Sequence, residues 1–130
     1  MRITAFSMEP AFQENNIPVV LFASNLYAPY AAVLIRSIID HASIENNYDI
    51  IILEREISEE NKRLLKIFEA ERDNISIRFY EPSVALSVEG KRPDRFPFVV
   101  YYSLFAPFIL ENFKKIIVMD SDMLVCEDIA

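Results

Sequence analysis

Asp120-Ser121-Asp122 follows directly on the run Lys115-Ile116-Ile117-Val118-Met119. A short apolar run rich in β-branched residues reads as a buried strand. Two carboxylates one residue apart at its carboxyl end make a hard oxygen site. Such a site suits a divalent cation of the magnesium or manganese type, which keeps open positions for phosphates. Residues two apart on a strand point the same way, so Asp120 and Asp122 share one cation if strand geometry persists. If the chain turns there, one binds directly and the other through water. The plain alternative is a pair of aspartates that solvate a turn. The apolar strand before the pair and Met123-Leu124-Val125 after it favour the functional reading.

The elements before this site must position it. Residues 1–16 read as an irregular leader. Ile17 to Ala23 is a first buried strand, followed by Ser24-Asn25. Ala28 to His41 has helical periodicity, with Ala32, Val33, Ile35 and Ile39 toward one side and Pro29 in the first turn. Tyr48 to Leu53 is a second strand. Ser58 opens a second helix with Glu59 and Glu60 in its first turn, and Leu64, Leu65, Ile67 and Phe68 form its buried side. Ile75 to Tyr80 is a third strand, closed by Pro82. Ser83 to Val88 reads as a short turn or helix and Glu89 to Pro97 as a loop. Val99 to Phe113 reads as a helix interrupted or kinked at Pro107. Lys115 to Met119 is the fourth strand. Strand–helix alternation predicts an α/β fold with a mainly parallel, doubly wound sheet and right-handed crossovers. The strands lack clean polar alternation, as expected where both faces are covered.

Composition narrows the function classes. The chain has 130 residues, 52% of them hydrophobic and 25% charged, which describes a single globular domain. Its formal net charge of −7 disfavours nucleic acid or an anionic membrane as a partner. Gly90 is the one glycine, so neither a G-x-G-x-x-G turn nor a Walker-type loop can be written. A bound nucleotide would need something other than a glycine cradle for its phosphates. Cys126 is the one cysteine and reads as a small buried residue, which excludes an internal disulfide and fits a reducing compartment. No apolar stretch is long enough to span a bilayer, and the amino terminus lacks a secretory h-region. The expected location is cytoplasmic.

Other chemistry-bearing residues have plainer readings. His41 falls at the end of the first helix, where a cation suits the helix dipole. Lys91, Arg92 and Arg95 read as a solvated loop, and Glu59, Glu60 and Glu71 as a solvated helix face. The aromatics Phe96, Phe98, Tyr101, Tyr102, Phe105 and Phe108 read as core.

The string Ile116-Ile117-Val118-Met119-Asp120-Ser121-Asp122-Met123-Leu124-Val125, with Glu127-Asp128-Ile129 after it, resembles the D-x-D region of glycosyltransferase family 8. Val19-Val20-Leu21-Phe22-Ala23-Ser24-Asn25-Leu26-Tyr27-Ala28-Pro29-Tyr30 resembles that family's first strand and nucleotide loop. Ile35-Arg36-Ser37-Ile38 is similar to its first helix. Tyr48 to Leu53 with Ile57-Ser58 and Asn61-Lys62 is similar to its second unit, and Ile77-Arg78-Phe79 to its third strand. The resemblance implies a GT-A fold, a nucleotide sugar donor, usually a UDP-sugar, with manganese (or magnesium), a hydroxyl acceptor, and retention of anomeric configuration.

It also implies roles by residue. Ala23, Ser24 and Asn25 would lie along the uridine, Tyr27 would stack on or flank the base, and Ser121 would join the donor contacts. Asp120 and Asp122 would hold the metal that neutralises the departing diphosphate. No catalytic nucleophile is implied. The nucleotide loop is one residue shorter than the family's A-S-D-x-N-Y form, with Leu26 at a commonly polar place. Ser103 stands where the family often carries an arginine facing the donor. The third family ligand is a histidine in a later H-x-x-G-x-x-K-P-W-like segment. Residues 17–130 are therefore expected to form part of a nucleotide-sugar-binding domain, and the D-x-D strand an open sheet edge through which two copies could pair. Two other readings are a non-catalytic nucleotide- or metal-binding module and a haloacid-dehalogenase-type phosphatase. The latter's D-x-D normally follows the first strand.

Overall fold

A computed structural model describes residues 8–82, 104 and 106–130. Four strands form one parallel sheet in the order β3-β2-β1-β4: β1 is Asn16–Ser24, β2 Asn47–Arg55, β3 Ile75–Tyr80 and β4 Ile117–Asp120. The chain winds outward from β1 through β2 to β3, then returns to lay β4 on the other side of β1. The expected α/β fold with a parallel, doubly wound sheet is what the chain adopts, and among the described residues the D-x-D strand β4 lies at one edge of it.

The two central strands are buried along nearly their whole length, and their side chains alternate between two separate cores. Val19, Leu21, Ile50, Ile52, Ile77 and Met119 face helix α1 (Ala28–His41) and Leu65 of α2 (Glu59–Lys66). Val20, Phe22, Ile51 and Leu53 face Met8, Ala106, Ile109 and Leu110. Covering both faces explains why the strand sequences show no polar alternation.

Helix α1 has the predicted bounds, with Pro29 in its first turn, but its buried side differs in part. Ala28, Ala31, Leu34, Ile35, Ile38 and Ile39 are buried, whereas Val33 is 58% exposed. At 3.6 residues per turn Val33 lies nearly opposite that group and Ala32 lies at its margin. Ser58 caps α2, its Oγ accepting from the Asn61 N–H at 3.1 Å. Of the four residues expected on its buried side, Leu65 is buried and Phe68 half-buried, while Leu64 and Ile67 are exposed. The α-helix stops at Lys66 and tightens into a 3-10 turn, Ile67–Glu71. Residues three apart then eclipse, which keeps Phe68 under Leu65 and turns Ile67 outward.

Strand β4 is displaced by one to two residues from its predicted span, because its ladder with β1 begins at the pair Val19 and Ile117 and includes Asp120. The helix predicted over Val99 to Phe113 ends early. Residues 104 and 106–109 are helical, the chain turns over 110–112, and Phe108 is exposed rather than core. Cys126 is also exposed, contrary to expectation: its neighbour Val125 is the residue that fills the core. The turn at Ser83–Val88, the loop with Lys91, Arg92 and Arg95, Ser103, and the aromatics Phe96, Phe98, Tyr101, Tyr102 and Phe105 lie outside the described residues.

Residues 8–15 carry no helix or strand and are tied to the sheet by polar contacts. Asp49 is fully buried; its carboxylate accepts from the Ala11 N–H at 2.9 Å, Asn16 Nδ2 at 3.2 Å and Arg78 Nη2 at 2.9 Å. Asn112 Nδ2 donates to the Met8 carbonyl at 3.3 Å. No helix among the described residues is long and apolar enough to cross a membrane.

Candidate functional site at the carboxyl ends of β1 and β4

In an open parallel sheet a crevice forms where strand order reverses, outside the carboxyl ends of the strands. Here that point falls between β1 and β4. Phe22 pairs with Asp120, so the end of β4 lies one residue short of Ala23 and Ser24 on β1. The structure thus brings the segment Ala23 to Tyr27 beside Asp120-Ser121-Asp122, though ninety-odd residues separate them in the chain.

Asp120 is the last residue of β4, and Ser121 and Asp122 form a turn. Strand geometry does not persist, so the condition for both carboxylates to point the same way is not met. The turn alternative applies, in which the two reach a cation differently. Both aspartates are exposed, whereas Ser121 is only 8% exposed and anchors the turn. Among the described residues no third His, Cys, Asp or Glu joins them in a group able to hold a metal. His41 is far from this role: it sits in the last turn of α1 with Nδ1 2.8 Å from the Ser37 carbonyl.

After the turn the chain runs back along α1. The Val125 N–H donates to Ser37 Oγ at 3.0 Å, and that hydroxyl donates to the Leu34 carbonyl at 2.7 Å. Further on, Asp128 Oδ1 accepts from the Tyr48 hydroxyl at 2.5 Å, which itself accepts from the Ser43 N–H at 2.9 Å. Burial pushes the Tyr48 phenol above its ordinary pKa, and its hydrogen bond to Asp128 adds to the shift. Two fixed points therefore hold the segment that trails the aspartates. Neither was legible in the sequence, because Tyr48 and Asp128 are 80 residues apart.

The first loop is held from the other side. Ala23 is buried at the end of β1, and Ser24 is half-buried. Asn25 opens a 3-10 turn, Asn25–Tyr27, that leads into α1. Tyr27 is 43% exposed, and its ring stands 5.7 Å from that of Tyr30 at 46°. Asn25 Oδ1 accepts from the Ser58 N–H and from Asn61 Nδ2, both at 2.9 Å. Beneath this contact Glu54 is buried opposite Ala23; its carboxylate takes Lys62 Nζ at 2.5 Å and the Ile57 N–H at 3.2 Å. That ion pair, chiefly the hydrogen bond to Glu54, raises the Lys62 pKa. Nothing local in the sequence assigns Asn61, Glu54 and Lys62 a part in the site. The cap signal at Ser58 was the one available hint that α2 begins beside it.

Comparison with known proteins agrees with this geometry. The model of glycosyl transferase family 8 matches residues 18–130. Among solved structures, the WbbM bifunctional glycosyltransferase in its apo form superposes with a TM-score of 0.85 at 32% identity, covering 95% of this chain and 21% of that one. The galactosyltransferase LgtC, solved in complex with donor and acceptor sugar analogues, superposes at 0.63 with 20% identity, covering 85% of this chain and 40% of that one. An active-site mutant of LgtC gives the same TM-score, with 39% of its chain covered. The chain thus spans well under half the length of each of these structures. No curated protein matches it significantly. The GT-A-like sheet, its switch point at Asp120 and a family match running from Pro18 in β1 to Ala130 make this chain a member of glycosyltransferase family 8.

Proposed function

We propose that residues 17–130 form the donor-binding part of a glycosyltransferase that moves a sugar from a nucleotide diphosphate sugar, a UDP-sugar, to a hydroxyl acceptor with retention. The observation that carries the reading is the pairing of Phe22 with Asp120 in a family 8 chain, which sets a candidate nucleotide loop beside a candidate metal pair at the switch point. In this reading Ala23, Ser24 and Asn25 line the uridine, Tyr27 offers its half-exposed ring to the base, and Ser121 contacts the donor. Two exposed carboxylates fit a hard cation with open positions, so Asp120 and Asp122 would hold Mn2+ or Mg2+. Such a cation supplies neutralising charge to the departing diphosphate. The overall charge of −7 gives that task weight, since it opposes a diphosphate unaided. A saccharide acceptor is in keeping with the acceptor analogue bound to LgtC. A cytoplasmic location, a leader over residues 1–16 and pairing of two copies through the outer edge of β4 belong to the same proposal. Sedimentation velocity tests the last.

A non-catalytic nucleotide-binding module is the second reading. It is favoured by Ser103, which stands where the family often carries an arginine facing the donor. Incubating the purified chain with UDP-sugars and manganese separates the two. Release of UDP supports transfer chemistry in this chain, and UDP binding without release supports the module. The phosphatase reading fits poorly, since the D-x-D here ends the fourth strand in the chain. A phosphoaspartate trapped at Asp120 would reinstate it.

A further inference from the structure

The D-x-D turn is pinned at both ends. At one end Asp120 pairs with Phe22 in the ladder between β4 and β1. At the other Val125 is buried in the core that packs on α1, and its N–H donates to Ser37 Oγ at 3.0 Å. Residues 121–124 span the gap. Ser121 is packed inward, but Asp122, Met123 and Leu124 are exposed. Burial therefore does not hold Asp122 on its carboxyl side before Val125 is reached. Ser37 is itself buried within α1, and its hydroxyl has no freedom left. The Val125 N–H can only donate, so Oγ accepts there, and the hydroxyl proton goes to the Leu34 carbonyl at 2.7 Å. That second bond, to a carbonyl three residues back in the same helix, fixes the rotamer that aims the remaining lone pair at Val125.

From this arrangement we infer that Ser37 is a positioning residue for the metal pair: by holding the Val125 N–H it closes the turn and sets the place of Asp122, while β4 alone sets Asp120. The inference rests on the donor-site reading above, in which Asp122 meets the cation. A carboxylate on a turn pinned at both ends is ordered before the cation arrives. On a turn pinned at one end it must be ordered as the cation binds, and that entropy is lost from the affinity. Ser37 touches neither aspartate. Its effect on binding is therefore carried by the backbone of residues 122–125.

Ser37→Ala removes the hydroxyl, keeps the Val125 side chain in the core and places the best helix former within α1, so the variant is expected to fold. Ser37→Thr keeps an Oγ that can bond the helix carbonyl and Val125 alike. Calorimetric titration of UDP in Mn2+ into wild type, both Ser37 variants, Asp122→Asn and Ser37→Ala/Asp122→Asn reads the effect. Asp49→Ala, a change at the amino end of the sheet, serves as the control for lost stability. Ser37→Ala should weaken binding about tenfold, the worth of one hydrogen bond, and Ser37→Thr should restore it. On top of Asp122→Asn the same change should add less than about twofold, because Ser37 acts through Asp122. Asp49→Ala should lower the melting temperature and leave the affinity as it was. Full affinity in Ser37→Ala would show that the buried Val125 side chain holds the turn alone, and would overturn the inference. A tenfold loss that persists on top of Asp122→Asn, or an equal loss in Asp49→Ala, would mean a structural role only and overturn it too. Wild-type binding that Asp122→Asn leaves intact would remove the residue through which Ser37 is said to act. No binding of UDP by the wild type in Mn2+ sinks the donor-site reading itself, and this inference with it.

Discussion

Tyr48→Phe removes one oxygen atom from the core and releases the segment that trails the D-x-D turn. The ring is fully buried and stays in place, so the transfer energy of the side chain is retained. What disappears is the hydroxyl, which donates to Asp128 at 2.5 Å and accepts from the Ser43 N–H at 2.9 Å. A hydrogen bond to a carboxylate is worth about 1.5–3 kcal/mol net. Asp128 is exposed and Ser43 half-buried, so water can reach both stranded groups and the lower half of that range applies. The expected loss is about 2 kcal/mol. With an unfolding entropy of about 0.27 kcal/mol/K for a chain this long, the melting temperature should fall by about 7 °C. The pH dependence carries a second signature. A phenol whose pKa is raised in the folded state stabilises fully below the ordinary tyrosine value near 10 and loses that contribution as pH climbs through the folded value. The gap between wild type and variant should therefore narrow above about pH 10. Tyr80 and Lys62 also have raised pKa values, so the variant keeps some alkaline slope of its own. Urea unfolding at pH 7 and at steps from pH 9 to 11 measures both effects. A loss below about 0.5 kcal/mol at pH 7, or a gap that widens with pH, would refute the reasoning.

Asp49→Ala strands the Ala11 N–H, the Asn16 amide and the Arg78 guanidinium together, and should cost about 3 kcal/mol by denaturant unfolding. Limited proteolysis should then cut earlier within residues 8–16, and a cost under about 1 kcal/mol would contradict the anchoring role given to Asp49. Glu56 has φ of 56° in the loop between β2 and α2, a left-handed conformation that costs a residue with a Cβ about 1–2 kcal/mol. Glu56→Gly should leave stability unchanged or raise it by up to about 1 kcal/mol, while Glu56→Val should lower it. A melting temperature that falls with glycine and holds with valine would show the opposite.

What the sequence reveals of this fold is what local pattern controls. The unbroken apolar runs Val19 to Ala23 and Ile50 to Leu53 mark strands covered on both faces. Pro29 and His41 bracket α1, and Ser58 marks the start of α2. The misplaced side chains have equally local causes: Val33 is on the far side of the helix, and Ile67 is turned out by a 3-10 turn that periodicity at 3.6 cannot foresee. Strand β4 extends one residue past its apolar run, to Asp120, because its bounds depend on pairing with Phe22, a contact nearly a hundred residues distant. The same limit governs the site. The D-x-D pair is visible in the sequence because its spacing and the strand before it are adjacent. The supports around it, Asn25 with Ser58 and Asn61, Ser37 with Val125, and Tyr48 with Asp128, join residues 33 to 88 apart and leave no local trace.

The central claim is that the switch-point crevice binds a nucleotide diphosphate through a cation on Asp120 and Asp122. Calorimetric titration of UDP, with and without Mn2+, into wild type and the Asp120→Asn/Asp122→Asn double variant tests it most directly. The account predicts binding by the wild type that needs the metal and is lost in a double variant of unchanged melting temperature. Equal UDP binding by both proteins, or binding indifferent to manganese, would contradict it.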